Sequence, residues 1–141
     1  MASAAPIDYV GLLTSTSLQN TTNINGAGTY GGTAMVDLQP YMGMCFVVIA
    51  NSAGAATTAI QPKVYTSGNS SAADFNNYSN ATNFATATNI GTAAAVQVVN
   101  VDLRAIAANT NRYLGIQWVV TGATANASID ATFFGQKKVT A

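Results

Sequence analysis

The 141-residue sequence predicts an all-β protein, an antiparallel β-sandwich of the jelly-roll or a related Greek-key type. Three observations lead to this fold class. Short segments alternate apolar and polar residues with a period of two, glycine and asparagine separate these segments, and amphipathic-helix periodicity is almost absent. The length is that of one domain, so we assign residues 1–141 to a single sandwich.

The N-terminal segment, residues 1–13, contains apolar side chains that have no partner strand nearby in the sequence. These side chains are Ile7, Tyr9, Val10, Leu12 and Leu13. Two interpretations remain open: the segment is the first strand of the sandwich, or it is an arm that adds backbone hydrogen bonds to a sheet edge of a neighbouring subunit. Under the second interpretation these residues form a subunit interface together with Lys137 and Lys138 near the other end of the chain.

The stretch NGAGTYGGT matches the dinucleotide-binding pattern G-x-G-x-x-G at Gly26, Gly28 and Gly31. That pattern binds a pyrophosphate when it follows a buried parallel strand and opens a helix, with an acidic residue about 20 positions further on. Here the preceding segment is polar, the following segment alternates like a strand, and the acid is absent. We therefore interpret the stretch as a glycine turn that leads into a strand.

The strongest strand signals lie at residues 44–51 and 113–122, which are dense in β-branched and aromatic side chains. Each is followed by a turn of small residues and a second alternating segment, so the sequence predicts two hairpins. Pro62 in the first return strand predicts an edge or a bulge, because proline cannot donate to a ladder. The predicted core comprises Leu114, Ile116, Trp118, Val47, Ile49, Phe46 and Phe133, with Cys45 as a buried thiol.

Residues 68–92, between the two predicted hairpins, are polar and low in complexity. They are too many for a tight turn and too poor in apolar residues for a core element, so we predict a surface excursion. The tripeptide Val-Asp-Leu precedes each predicted hairpin, with Asp37 in the first copy and Asp102 in the second. Each aspartate is predicted to cap a turn at a strand end through its own side chain.

The side chains that most often carry catalysis are scarce. The chain has no histidine, one cysteine and five acidic residues, all of them aspartate. No two aspartates lie within three residues of each other, so neither a local carboxylate pair nor a calcium loop is present in the sequence. Because active sites are built from perturbed titratable groups, we expect no enzyme, no catalytic residue, no metal and no cofactor.

Charged residues make up 7% of the chain, and the five basic ones are balanced by the five acidic ones. Dispersed basic residues do not provide a patch for nucleic acid, and no apolar stretch approaches the roughly 20 residues that span a bilayer. The first residues lack the basic and apolar regions of a secretory signal, so we expect synthesis in a cytoplasm. A net charge near zero favours association, so we expect a homo-oligomer that binds neither nucleic acid nor membrane.

The C-terminal stretch VDLRAIAANTNRYLGIQWVVTGATANASIDATFFGQKK resembles small capsid decoration, or cement, proteins of tailed bacteriophages. The resemblance rests on the RYL strand start, the VTG turn, the alternating second strand and the GQKK tail, and it extends less closely to APIDYVGLL near the N-terminus. It implies a small β-sandwich without catalysis that clamps the major capsid protein on the outer surface of the virion. Arg112, Tyr113 and Gly122 would then be structural positions of the final hairpin.

Composition and resemblance together predict a structural virion protein that is made in the host cytoplasm and stabilises the major capsid shell. The N-terminal apolar residues and the two C-terminal lysines would contact the capsid or neighbouring copies. The alternatives are a carbohydrate-binding or adhesin-type module and a tail or fibre accessory protein. A calcium requirement or a solvent-exposed Trp118 would favour the carbohydrate-binding module, whereas aromatic residues on strands are more often core.

We expect neither NAD nor a divalent cation to bind tightly, because the glycine stretch lacks the strand, helix and acid of a nucleotide site. Titration calorimetry with NAD and thermal-shift measurements with divalent ions check this. Saturable binding with a micromolar dissociation constant for either ligand would contradict our interpretation of the glycine stretch.

Overall fold

The computed structural model describes residues 13–53, 59–68, 70, 82–86, 95–104, 112–122 and 126–138. In these ranges the chain forms strands and turns, and no helix long and apolar enough to cross a membrane occurs in them. The strands are β1 (Leu13–Asn25), β2 (Gly28–Gly31), β3 (Val36–Asp37), β4 (Tyr41–Ala53), β5 (Ala59–Ser67), β6 (Thr82–Thr86), β7 (Ala95–Asp102), β8 (Tyr113–Thr121) and β9 (Asn126–Lys137).

The strands form two antiparallel sheets that pack face to face. Sheet A has the order β1-β9-β4-β7, and sheet B has the order β2-β8-β5-β6, with β3 also paired to β8. Apart from the consecutive pairs β2–β3 and β5–β6 in sheet B, successive strands lie in different sheets, so the path contains the interlocked Greek keys of a jelly roll. The predicted all-β antiparallel sandwich of the jelly-roll type is therefore confirmed.

The two predicted hairpins are wrong. Strand β4 lies in sheet A while β5 lies in sheet B, and β8 lies in sheet B while β9 lies in sheet A. Each pair of segments is joined by a connection between the layers, and the strands pair instead with partners distant in sequence. The apolar alternation only requires that one face be buried, and both a hairpin and a crossing between layers satisfy it.

The inner faces of the two sheets supply a single apolar layer. Leu114, Ile116 and Trp118 on β8 are 0% exposed, and they pack with the inner residues of sheet A. Four of the other five predicted core residues are also buried: Val47, Ile49, Cys45 and Phe133. Phe46 is only half-buried, because it lies on the outer face of β4.

Strand β1 was not predicted, because its sequence is rich in Thr, Ser and Asn. It pairs along its length with β9, and only Leu18, Gln19 and Ile24 are buried. The register shifts twice, between Ser17 and Gln19 and between Gln19 and Thr22. Such irregularities are common at sheet edges, where half of the backbone and one face of the strand meet solvent.

The glycine stretch bends at Gly26 and Ala27, as the predicted turn requires, but the strand that follows begins within the stretch itself. Residues Gly28–Gly31 form β2 and pair with β8, and the phenol of Tyr30 donates a hydrogen bond to the carbonyl of Gly26 at 2.9 Å. The strand predicted after the stretch is reduced to the two residues of β3. A strand, not a helix, therefore occupies the position at which a dinucleotide site needs a helix N-terminus.

The predicted excursion, residues 68–92, contains strand β6, which corrects its assignment as surface loop alone. Most of its other residues lie outside the described ranges. Strand β6 pairs with Lys63–Thr66 of β5, so β5 as a whole is an inner strand. Pro62 lies one residue before this pairing and is in register with Trp118 of β8 alone, so the edge prediction holds only for the part of β5 up to Pro62, and a bulge-like register shift occurs nearby between Val64 and Tyr65.

Trp118→Ala is expected to lower the free energy of unfolding by about 3–5 kcal/mol, because the indole fills the layer between the sheets. Trp118→Phe should cost less, since it keeps an aromatic ring and removes an indole N–H that has no hydrogen-bond partner in the described part of the chain. Urea denaturation followed by circular dichroism measures both. A loss below about 1 kcal/mol for the alanine variant would show that the ring does not support the core.

Candidate functional site

The outer face of sheet A is unusually apolar for a surface. Among the described residues, the exposed large hydrophobic side chains are Leu13 at 39%, Met42 at 45%, Met44 at 54%, Val98 at 59% and Val96 at 69%. The registers of β1, β4, β7 and β9 put all of them on the side that faces away from sheet B. A contiguous exposed apolar surface in a folded protein is typical of an interaction site.

The largest part of this surface, which we name the β4–β7 patch, comprises Met44, Phe46, Val48, Val96, Val98 and Phe134. Val48 lies opposite Val98, and Phe46 lies between Phe134 on one side and Asn100 on the other. The rings of Phe46 and Phe134 stack with centroids 5.1 Å apart and an interplanar angle of 16°. This contact gives the patch a rigid aromatic centre.

Gly43 sets the direction of β4 at the border of the patch. Its φ of 70° lies in the left-handed region, which non-glycine residues rarely adopt. The pairing of β4 with β9 is interrupted between Met42 and Phe46 at the same place. A side chain at position 43 would meet no atom within 4 Å, so the backbone conformation, and not space, accounts for glycine here.

Three predicted interface residues meet at one end of sheet A, which we name the terminal edge: Leu13, Lys137 and Lys138. Leu13 pairs with Gln136, the neighbour of Lys137, because β1 begins where β9 ends. The Lys138 amide donates to the carbonyl of Pro40 at 2.8 Å, and its ammonium donates to the carbonyl of Gln39 at 3.0 Å. The other four, Ile7, Tyr9, Val10 and Leu12, lie outside the described residues.

Leu13 is the first residue of β1 and is therefore part of the sandwich. The predicted segment 1–13 thus ends in a strand, and the choice between arm and strand concerns residues 1–12.

An open depression of about 510 Å³ lies at the opposite end of the outer face of sheet A. In it, Thr21 donates a hydrogen bond to the carboxylate of Asp130 at 2.8 Å. The amide of Asn51, which is 5% exposed, has no hydrogen-bond partner among the described residues. The complete lining is Thr21, Ala50, Asn51, Ser52, Val96, Ser128 and Asp130. None of these residues offers the aromatic ring on which a sugar stacks.

Asp37 and Asp102 cap turns, as the Val-Asp-Leu repeat predicted. The carboxylate of each accepts the backbone N–H two residues later at 3.0 Å, from Gln39 in the first case and from Arg104 in the second. Each carboxylate also binds a guanidinium. The pair Asp102–Arg104 is local, whereas the pair of Asp37 with Arg112 joins β3 to the start of β8.

The hydrogen bonds from Arg112 hold the pKa of Asp37 below its ordinary value, and those from Arg104 do the same for Asp102. Burial raises the pKa of Cys45 to about 11, so its thiol stays protonated at neutral pH. Within the described ranges, no group of three potential metal-ligating side chains occurs. Each described carboxylate accepts a hydrogen bond from a structural partner: Asp37 from Arg112, Asp102 from Arg104 and Asp130 from Thr21.

Sequence reasoning missed the exposed apolar surface. In the sequence, Val96 and Val98 share one face of an alternating segment, and Val99 and Val101 make the opposite face equally apolar, so the alternation gives no criterion for the solvent side. The same ambiguity put Phe46 in the predicted core. A strand that is apolar on both faces is a sequence signal for burial on both sides, and here one of those sides remains exposed in the single chain.

We expect Asp37→Asn to weaken the acid sensitivity of folding. Because the folded-state pKa of Asp37 is lowered, its carboxylate stabilises the fold above the unfolded pKa, near 3.8, and this contribution is lost as the pH falls through the folded pKa. Urea denaturation from neutral pH down to about pH 3 should show a shallower decline for the variant.

Asp102→Asn is the matched control. Its arginine partner is two residues away and can reach it in the unfolded chain, so its effect on the pH profile should be smaller than that of Asp37→Asn. Identical acid profiles for the wild type and Asp37→Asn would show that the pair with Arg112 does not contribute.

The comparisons with known proteins concern the fold alone. No protein-family model matches the chain, and no curated protein matches it. Among solved structures, a chain in the structure of infectious bursal disease virus, Gx strain, is similar with a TM-score of 0.51 and 10% sequence identity. The match covers 86% of this chain and 32% of the viral chain, so this chain spans about a third of that length. The jelly-roll sandwich described above is thus shared with a viral chain.

Proposed function

We propose that the protein is a structural component of a virion, which binds the outside of the capsid shell and stabilises it as a decoration or cement protein. The observation that supports this most is the strand order β1-β9-β4-β7 facing β2-β8-β5-β6, because the jelly roll is a recurrent fold of viral capsid domains. The likeness to a chain of infectious bursal disease virus supports the same proposal at the level of the fold. The resemblance of residues 101–138 to tailed-phage decoration proteins supports the finer assignment.

The chemistry of the side chains supports a structural role over catalysis. The described carboxylates bind an arginine or a threonine, and the single thiol is 1% exposed with a raised pKa. Neither group is placed to act as a nucleophile or a general base. A charge-poor surface with an exposed apolar face suits a protein that works within an assembly.

The terminal edge is the surface that we assign to the coat contact. Leu13, Lys137 and Lys138 lie together there, because β1 begins at the same end of sheet A at which β9 finishes. An N-terminal arm that starts from this edge can pair with a coat subunit through its backbone, with Ile7, Tyr9, Val10 and Leu12 as apolar anchors. The lysines add positive charge beside that arm.

The two alternative functions are less well supported. A carbohydrate module needs an accessible aromatic platform, but Trp118 is 0% exposed and the depression beside Asp130 is lined without an aromatic ring. A tail or fibre accessory protein shares the fold class, and the two virion roles differ in the substructure that is bound. Binding of the protein to separated heads or to separated tails of the virus therefore distinguishes the two roles.

The test is sedimentation of the purified protein with shells assembled from the major capsid protein encoded in the same genome. We expect it to sediment with heads and not with tails, and to raise the temperature at which the shells disrupt, because a ligand of the assembled state stabilises that state. Shells that withstand heat equally with and without bound protein would contradict a cement role. Sedimentation with tails alone would favour the accessory alternative.

Deletion of residues 1–12 tests the coat contact while leaving β1 intact. If these residues form an arm, the truncated protein keeps its dichroism spectrum and unfolding temperature but loses shell binding. If they form part of the sandwich, it loses stability. Lys137→Ala should weaken binding, and Lys63→Ala, which removes the same charge from sheet B, should not. Unchanged binding by both the deletion and Lys137→Ala would overturn the assignment of the terminal edge.

A further inference from the structure

Among the described residues, the β4–β7 patch has no exposed counterpart on the other side of the sandwich. The outer face of sheet B carries polar Gln61, Lys63, Gln117 and Thr121 on its two central strands, and its apolar and aromatic side chains, Tyr65, Tyr113 and Val119, are buried or half-buried. On sheet A, by contrast, Val96 and Val98 project from β7 with 69% and 59% exposure. The apolar surface is therefore concentrated on one face of the molecule.

The charges around the patch are arranged so that the patch complements itself. No described residue within it is charged. Asp130 lies at one end, where it is in register with Ala50, and Ala50 is in register with Val96. At the other end, just beyond β7, Arg104 pairs with Asp102 and keeps 79% of its side chain exposed, and Lys137 and Lys138 at the end of β9 leave the described charges of this end net positive. Two copies with antiparallel strands would place each Asp130 toward this positive end of the other copy.

The size of the face fits a weak, reversible contact. Four strands spaced about 4.8 Å apart and about eight residues long cover roughly 500 Å². Two such faces bury about 1,000 Å² in total, which is near the lower limit for a specific protein interface. Two sheets that pack face to face align within about 30° and bury the side chains between them, as in the interior of a sandwich.

We propose that the β4–β7 patch is the surface through which two copies of this chain associate, outer face of sheet A against outer face of sheet A. The contact is isologous, so each copy contributes the same residues across a two-fold axis. Phe46 and Phe134 lie at its centre, and the edge valines of β7 close one side. This association is independent of the virion role, since it rests on the apolar face and on the charges at its ends.

Sedimentation equilibrium of the full chain tests the proposal over protein concentrations from about 1 μM to about 1 mM, the range in which a weak interface dissociates. We expect the mass to rise from the 14.4 kDa of one chain to twice that value. Val98→Asp places a charge in the middle of the contact and should keep the protein monomeric throughout. Thr121→Asp, on sheet B, should dimerise like the wild type.

Val96→Lys provides a second variant at the most exposed position, in case Val98→Asp alters the fold. It places a cation opposite the second copy's Arg104 and should weaken dimerisation at least tenfold in dissociation constant. Circular dichroism verifies that both variants keep the strand spectrum. A wild type that stays monomeric at the highest concentration would overturn the proposal, as would a folded Val98→Asp variant that dimerises normally. A monomeric wild type whose shell binding is abolished by Val98→Asp would assign the patch to the coat protein instead.

Discussion

Burial of the two inner sheet faces against each other is the interaction on which the rest of the structure depends. Strand β8 presents Trp118 and its alternate neighbours to this layer, and β9 presents Phe133 from the other side. Both strands are central in their sheets, so a loss of packing at either one exposes the faces of several others. An amphipathic sheet is stable only when such a face is covered, and here each sheet covers the other.

The order of the strands within each sheet determines which residues share a surface. With β1 and β9 paired from end to end, the beginning of the described chain and its end meet at the terminal edge. With β7 paired to β4, the valines of β7 extend an apolar face that already contains Phe46. Surfaces that combine residues distant in sequence therefore arise from strand order, and the proposed coat and self-association contacts occupy different parts of one sheet.

Charge has a local role in this protein. Its described ion pairs fasten turns and strand ends: Arg112 connects β8 to β3, and Arg104 closes the turn after β7. Partly exposed pairs of this kind contribute modestly to stability because water screens them. The low charge elsewhere leaves apolar complementarity and backbone pairing as the main means by which the molecule can bind a partner, which agrees with a role in an assembly.

The sequence by itself determined the strand-rich class, the apolar face of β8, the buried Cys45 and the turn caps at Asp37 and Asp102, because period-two alternation and Asx turns depend on neighbouring residues. Only the tertiary structure decided which strands pair, that β1 and β6 are strands, and that Phe46 faces outward. Alternation identifies the two faces of a strand but does not specify which strand pairs with it. Polar segments such as β1 adopt the strand conformation because their backbone pairs with a neighbouring strand. Leu13, Lys137 and Lys138 were candidate interface residues from the sequence, but their proximity came from the register between β1 and β9, as the β4–β7 patch came from the register between β4 and β7.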